Sequence, residues 1–346
     1  MNKRLVSRFG SARAVAWDSR LTWLPLGCVY LAWGGTFPAY RILLRGLPPL
    51  PAMGVRCLLC SVALYAWLVA RHGRRALATT VPQLGGAAFS GLTVLGAIAL
   101  TSVLEIRITA DTAAVTIGSV PLWVIVLRAA HGERPARLVW LGVIIGFGGT
   151  ILVVSQGLDS SPPLWLACML AAAALEAIGT FYAARLPRSP LRLLNTAHQL
   201  MIAGLVFVGV SAVSGEWRQL NPEEITPAVL GAFAYLTIVA TLLAYTAFAW
   251  LAAERPPSLV ATYAYVNPIV ALVVSWPLLG ETLEPVALIG AALTILSVAA
   301  VVGLETRTAP GKEAAPPAVR AAADGAADLH SPGSGALLGE GISPPN

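Results

Sequence analysis

Charge is scarce in this sequence. Asp, Glu, Lys and Arg make up 12% of the 346 residues, where a soluble globular domain carries about 25%. Hydrophobic residues reach 57%. So few charged side chains cannot coat the surface of a soluble protein this apolar. Lysine is almost missing: Lys3 and Lys312 stand beside 21 arginines, which reads as genome composition rather than chemistry. The net charge of +6 would suggest nucleic acid in a soluble chain. Here the basic residues sit in short segments between apolar runs, where they set orientation across a bilayer. No nucleic-acid partner is expected.

Cysteine is also sparse. Cys28, Cys57, Cys60 and Cys168 all fall within apolar runs, where thiols usually pack rather than pair. Cys57 and Cys60 share one helix face with no second ligand pair in view, so no metal is expected. There is no GxxxxGK[ST] phosphate loop, HExxH, G-x-S-x-G or paired CxxC, which leaves no cofactor and no ATPase or hydrolase signature to build on. The chain does not read as an enzyme.

What remains is a succession of apolar runs. A membrane-spanning helix needs about 20 such residues. Ten runs qualify: 22–41, 51–70, 83–103, 109–128, 138–155, 163–184, 193–213, 227–251, 258–279 and 286–303. The expected fold is an all-α polytopic membrane protein of ten transmembrane helices. With the N-terminus inside, the inner segments hold 15 basic residues and the outer ones only Arg41, Arg45, Arg107 and Arg218. That asymmetry puts both termini in the cytoplasm. Residues 1–20 form a basic cytoplasmic arm, and 304–346, rich in Ala, Pro, Gly and Ser, read as a disordered cytoplasmic tail.

The ten runs divide into two sets of five, 21–155 and 163–303. Gly35, Thr36, Phe37, Ala39 and Arg41 recur as Gly179, Thr180, Phe181, Ala183 and Arg185 at an offset of 144. Pro121 with Gly132-Glu133 recurs as Pro268 with Gly280-Glu281, and Gly142 as Gly290. Five is odd, so the second set enters the membrane from the opposite side and the repeats are inverted. Inverted repeats place a solute site near the midplane, at their interface.

Tyr30 to Phe37, Gly54-Val55-Arg56, and Pro121 with Gly132 to Pro135 resemble the first repeat of the EamA family of the drug/metabolite transporter superfamily. Ala261 to Pro268, Gly280-Glu281 and Ile289-Gly290 are similar to the second. The resemblance covers about 20–303. It implies a bacterial inner-membrane carrier, usually an exporter of amino acids, metabolites or drugs. One residue departs from it: family members commonly have a small or aromatic residue where this chain has Glu176.

Charge inside a span costs about 2.5–3.5 kcal/mol on insertion scales, so each such residue needs a reason. Glu176 lies about 20 Å of helix from the outer side. It reads either as a protonated carboxyl bonded to a neighbouring helix or as a proton-coupling carboxylate facing a cavity. Arg56 is close enough to the outer end of its run to snorkel to the headgroups. The alternative is a charge partner for a solute carboxylate or for Glu176. Asp111 suits a helix N-terminus, Glu105 and Arg107 the interface. His198 reads as an interfacial histidine or a proton relay.

Tyr263 and Asn267 share one helix face, and Pro268 frees a carbonyl behind them. Pro121 would break the mirrored helix. Exposed backbone at membrane depth is tolerated where it lines a cavity. Tyr263 and Asn267, with Trp33 from the Tyr30-Trp33-Phe37 stripe and Tyr245, are the candidate solute-binding residues. Pro121 and Pro268 are the candidate cavity breaks. Gly142-x-x-x-Gly146 permits close helix approach, within the chain by default.

The expected function is secondary transport of a small metabolite, amino acid or drug-like amphipathic solute by alternating access, with proton coupling through Glu176. Two rivals stand beside it. An intramembrane enzyme would need Glu176, His198 and Asp111 to meet. A non-transporting scaffold or sensor would act through the tail, and would fail on its deletion where a transporter would not.

Overall fold

A computed structural model of the chain describes residues 19–156, 162–189, 191–255, 257–260, 262–280 and 284–307. Most of the basic arm, Ala261, Glu281 to Leu283 of the second motif, and the tail from 308 lie outside the described residues. The chain divides into two units, Met1–Thr306 and Arg307–Asn346. Every helix among the described residues begins in the first, and the last one ends at Arg307.

Each expected run is helical. In order they are α1 (Ser19–Gly34), α2 (Thr36–Leu43), α3 (Pro49–His72), α4 (Val81–Leu104), α5 (Ala110–Gly118), α6 (Val120–Ala130) and α7 (Arg137–Gln156). Then come α8 (Pro163–Ala183), α9 (Arg192–Ser214), α10 (Pro227–Ala234), a π-helical segment (Tyr235–Leu243), α11 (Ala244–Glu254), α12 (Pro257–Val260), α13 (Tyr263–Leu279) and α14 (Pro285–Arg307). Among the described residues, eight helical stretches are long and apolar enough to cross a membrane, and Tyr263–Leu279 is a shorter apolar helix. The first run is split at Gly35, and in the ninth a turn at Thr262 precedes α13, so their pieces are shorter than the runs suggested.

Local chemistry sets the ends. Thr80 and Gln83 form a reciprocal capping box at the start of α4, satisfying amides the helix leaves open. Pro in the first turn starts α3, α6, α8 and α10, where a missing N–H costs nothing. Gly215 stops α9 in the left-handed conformation, at φ 75°. Thr109 caps α5 by accepting from the Thr112 amide, and Asp111 lies buried in the first turn. Asp111 is thus at the helix N-terminus, as expected, where a carboxylate favours the dipole. Glu105 is fully buried at the end of α4. The Arg41 guanidinium donates to its carbonyl at 2.5 Å.

Packing follows membrane rules. Leu24, Val81, Ile144, Val213, Trp276 and Leu296 lie largely exposed on the outer surface. Ser102, Thr116, Thr150, Ser211, Ser275 and Thr294 are buried. A bilayer rewards this inversion, because apolar faces meet lipid while small and hydroxyl residues let helices approach. Most buried hydroxyls bond back into their own helix, as Thr116 does to the Thr112 carbonyl at 2.7 Å. α7 and α14 approach closely. A Cβ on Gly149 would sit 2.6 Å from the Gly290 carbonyl oxygen. Gly142 and Gly146 face Val301 and Ser297 of the same helix, so this small-residue pair packs within the chain. α3 packs on α9, α4 on α8 and α9, α1 on α11 and α13, α5 on α13, and α6 on α8.

Candidate functional site

The broken helices meet around a cavity of about 350 Å³. At two of the breaks, side-chain hydroxyls answer backbone carbonyls. Where α1 ends at Gly34, the Tyr235 hydroxyl lies 3.0 Å from the Leu31 and Ala32 carbonyls. Between α5 and α6 the Ser119 hydroxyl donates to the Thr116 carbonyl at 2.6 Å, and Pro121 follows at the start of α6. Gly118 faces the Pro268 ring: a Cβ there would lie 2.7 Å from its Cγ. α5 and α13 therefore cross where Gly118 has no side chain to hold the Pro268 ring away.

The eight candidates for solute contact, proton coupling, helix breaks and charge pairing line this cavity: Trp33, Arg56, Pro121, Glu176, Tyr245, Tyr263, Asn267 and Pro268. Trp33 is the hub of the aromatic wall. Its ring centroid lies 5.4 Å from Tyr245, 5.2 Å from Phe248 and 5.1 Å from Tyr263, within the range where edge-to-face aromatic pairs attract. The indole nitrogen donates to the Ala240 carbonyl at 3.0 Å. Of the expected stripe, Phe37 lines the cavity, while Tyr30 turns away and shares a hydrogen bond with Thr262.

The polar groups divide by circumstance. Glu176 faces the cavity, within electrostatic reach of the Tyr245 and Tyr263 hydroxyls. The bond to a neighbouring helix that would have satisfied it is not found among the described residues. Asn267 has a buried Oδ1 with no hydrogen-bond partner among the described residues.

Arg56 corrects the snorkelling expectation. It is only 5% exposed and turned into the cavity wall. One guanidinium nitrogen lies 2.7 Å from the Met53 sulfur, and its carbon is 5.4 Å from the centre of the Tyr40 ring. Two turns into α3, its face of the helix points at the packed interior rather than at lipid.

His198 lies apart from the cavity lining. It is buried on α9 and hydrogen-bonded through Nδ1 to the Tyr65 hydroxyl. Sequence reasoning missed Phe248, one helical turn after Tyr245, and Tyr40, four residues after Thr36. It also missed the contribution of α9, which adds Thr196, Gln199 and Leu200 to the lining. Gln199 donates to Ser90 at 2.7 Å and ties α9 to α4. The π-helical segment has no sequence signature here, since Tyr235–Leu243 reads as ordinary apolar helix.

Away from the cavity, Glu133 joins two helices. It pairs with Arg128 at 2.6 Å and with Arg185 at 3.3 Å, and Arg128 also pairs with Glu305. The His131 ring nitrogen and the Tyr182 hydroxyl lie 2.9 Å apart beside them. The cluster links the ends of α6, α8 and α14.

Known proteins match along most of this length. The EamA-like transporter family matches residues 22–155 and again 163–303. An uncharacterized inner membrane transporter of Escherichia coli K12, YedA, is 29% identical over 79% of this chain and 88% of its own. A probable terminal-alkyne amino-acid exporter of Streptantibioticus cattleyicolor is 27% identical over 81% of this chain and 92% of its own. An S-adenosylmethionine/S-adenosylhomocysteine transporter of Chlamydia trachomatis is 27% identical over 76% and 84%. A solved crystal structure at 18% identity aligns with 84% of this chain and 99% of its own at a TM-score of 0.58, which speaks to the fold alone. The relatives' names indicate transporters rather than enzymes. With both family matches spanning most of its length, the chain belongs to the EamA-like transporter family, within the drug/metabolite transporter superfamily.

Proposed function

We propose that this chain is a secondary transporter of the bacterial inner membrane that exports a small amphipathic or zwitterionic solute by alternating access. Ten transmembrane helices form two inverted repeats, 21–155 and 163–303, with both termini in the cytoplasm. Glu176 couples export to proton entry. Trp33, Tyr245, Tyr263 and Asn267 contact the solute, and the breaks at Pro121 and Pro268 let the two halves rock.

The cavity carries this reading. It draws Trp33, Arg56 and Pro121 from the first family match and Glu176, Tyr245, Tyr263, Asn267 and Pro268 from the second. A mostly apolar, aromatic-lined cleft with a few converging polar groups is what a small-molecule site requires. The helix contacts support the repeat. Exchanging each run with the one five places on turns the α4–α8 contact into α1–α11, α6–α8 into α1–α13, and α4–α9 into the contact of α3 with the π segment. The α3–α9 and α5–α13 contacts turn into themselves. Inverted repeats give two related states open to opposite faces. The relative named for an amino-acid exporter supports a zwitterionic solute.

A solute flux screen in proteoliposomes tests this, with and without an imposed pH gradient, wild type beside Glu176→Gln. Wild-type flux should rise with the gradient, and the variant should lose that dependence. Flux that ignores the gradient in wild type ends the coupling role. Absence of flux for every solute class, anionic, zwitterionic, neutral and cationic, ends the transporter reading.

A further inference from the structure

Arg56 stands out among the basic residues of the described chain. Arg128 and Arg185, near helix ends, are both held by Glu133. Arg56 is deeper, 5% exposed, and no carboxylate among the described residues is ion-paired with it. Its partners are soft: the Met53 sulfur and the Tyr40 ring. Both are compatible with a cation, but neither carries a charge to neutralise one. Its Nε is buried and has no hydrogen-bond partner among the described residues. A charge buried in a membrane protein without a counter-charge is costly and is kept for function. Here the charge lies on the wall of a cavity that takes a small molecule.

We propose that Arg56 anchors a carboxylate of the transported solute, which narrows the cargo to small monocarboxylates, amino acids among them. This rests on the transporter reading. Guanidinium is the side-chain group whose planar fork matches a carboxylate. Met53 and Tyr40 hold that fork in place without competing for its charge. A phosphate-bearing solute fits less well. Among the described residues no second Lys or Arg lines the cavity, and Glu176 does, so a dianion would meet one cation and one repelling acid. Tyr245 lies within electrostatic reach of both Arg56 and Glu176. A solute held at Arg56 therefore has its body against the Trp33 and Phe248 rings and its far end towards Glu176.

The test compares labelled leucine, methionine and phenylalanine with their methyl esters in wild-type proteoliposomes. It then repeats the acids in Arg56→Lys and Arg56→Gln. At least one acid should be carried, and its ester at least tenfold more slowly. Arg56→Gln should cut flux of that acid tenfold or more, chiefly through KM, while Arg56→Lys retains part of it. If Arg56→Gln does not fold, the ester comparison in wild type decides alone. Esters carried as well as acids, acid flux untouched by Arg56→Gln, or no acid carried at all would each overturn the anchor. Should amines or neutral amphiphiles move in that last case, the transporter reading survives and only the anchor falls. If no solute of any class moves, the transporter reading falls with it.

Discussion

The Trp33 indole nitrogen donates to the Ala240 carbonyl at 3.0 Å, so the end of α1 is fixed to the π-helical segment beside the cavity. A wide π turn points its carbonyls off the α-helical line. Two of them are used: Ala240 accepts from Trp33, and Thr237 accepts from the Cys60 thiol at 3.3 Å. π segments tend to occur where function needs an irregular wall. This one sets the angle of an indole on which three aromatic rings lean.

Trp33→Phe should separate the ring from the bond. Phenylalanine keeps an aromatic face for Tyr245, Phe248 and Tyr263 but cannot donate to Ala240. Loss of one buried hydrogen bond should cost about 1–2 kcal/mol of stability. Solute KM should rise several-fold as the wall loses its orientation. A melting scan in detergent and a flux titration read the two effects. Unchanged values in both would mean that the bond orients nothing.

Gly149 and Gly290 set a close helix crossing, and their substitution should show it. A Cβ on Gly149 would stand 2.6 Å from a backbone oxygen that cannot swing aside. Gly149→Ala should therefore force α7 and α14 apart and destabilise the protein by about 1–3 kcal/mol. Gly148 supplies the control, because nothing lies within 4 Å of a Cβ there. Gly148→Ala should leave the melting temperature unchanged or slightly raised, through better helix propensity. Equal effects at the two neighbours would deny the close crossing.

The apolar runs were legible because hydropathy and length are properties of the chain itself. Each α-helix of the described residues overlaps one of the runs. The cavity residues were legible too, since Pro121, Pro268 and Glu176 are unusual at membrane depth and need a reason wherever they sit. Direction was not legible. Whether Arg56 points at headgroups or at Tyr40 depends on the rotation of α3 against its neighbours, and hydropathy carries no phase for a helix that is apolar all round. The break at Gly35 and the π turn at Tyr235–Leu243 were hidden for a related reason. They are held by tertiary bonds, from Tyr235 to the Leu31 and Ala32 carbonyls and from Trp33 to Ala240. No local residue pattern announces them.

Glu133→Gln should leave folding nearly intact. Its pairs with Arg128 and Arg185 are at least a third exposed on the Glu133 side, and exposed pairs are each worth about 0–1 kcal/mol. The melting temperature should fall slightly, and less so at high salt, which already screens the pairs. Transport is the more sensitive readout, because the cluster links three helix ends that must separate if the halves rock. A change in maximal rate with KM unaltered is the expected signature. A large loss of stability would mark Glu133 as structural instead.

Asn267 gives the prediction whose sign is least expected. Its Oδ1 is buried with no hydrogen-bond partner among the described residues, so the folded protein carries the desolvation cost of an unanswered polar atom, about 1–3 kcal/mol. Leucine has nearly the same shape and no polar atom to leave unanswered. Asn267→Leu should therefore raise the melting temperature, where most substitutions at a buried polar site lower it. If Asn267 also receives a donor from the solute, the same variant should transport at least tenfold more slowly. Gain in stability with loss of flux is the pattern of a residue kept for its ligand. A lower melting temperature would instead mean that Asn267 bonds within the protein, and would remove it from the solute-binding set.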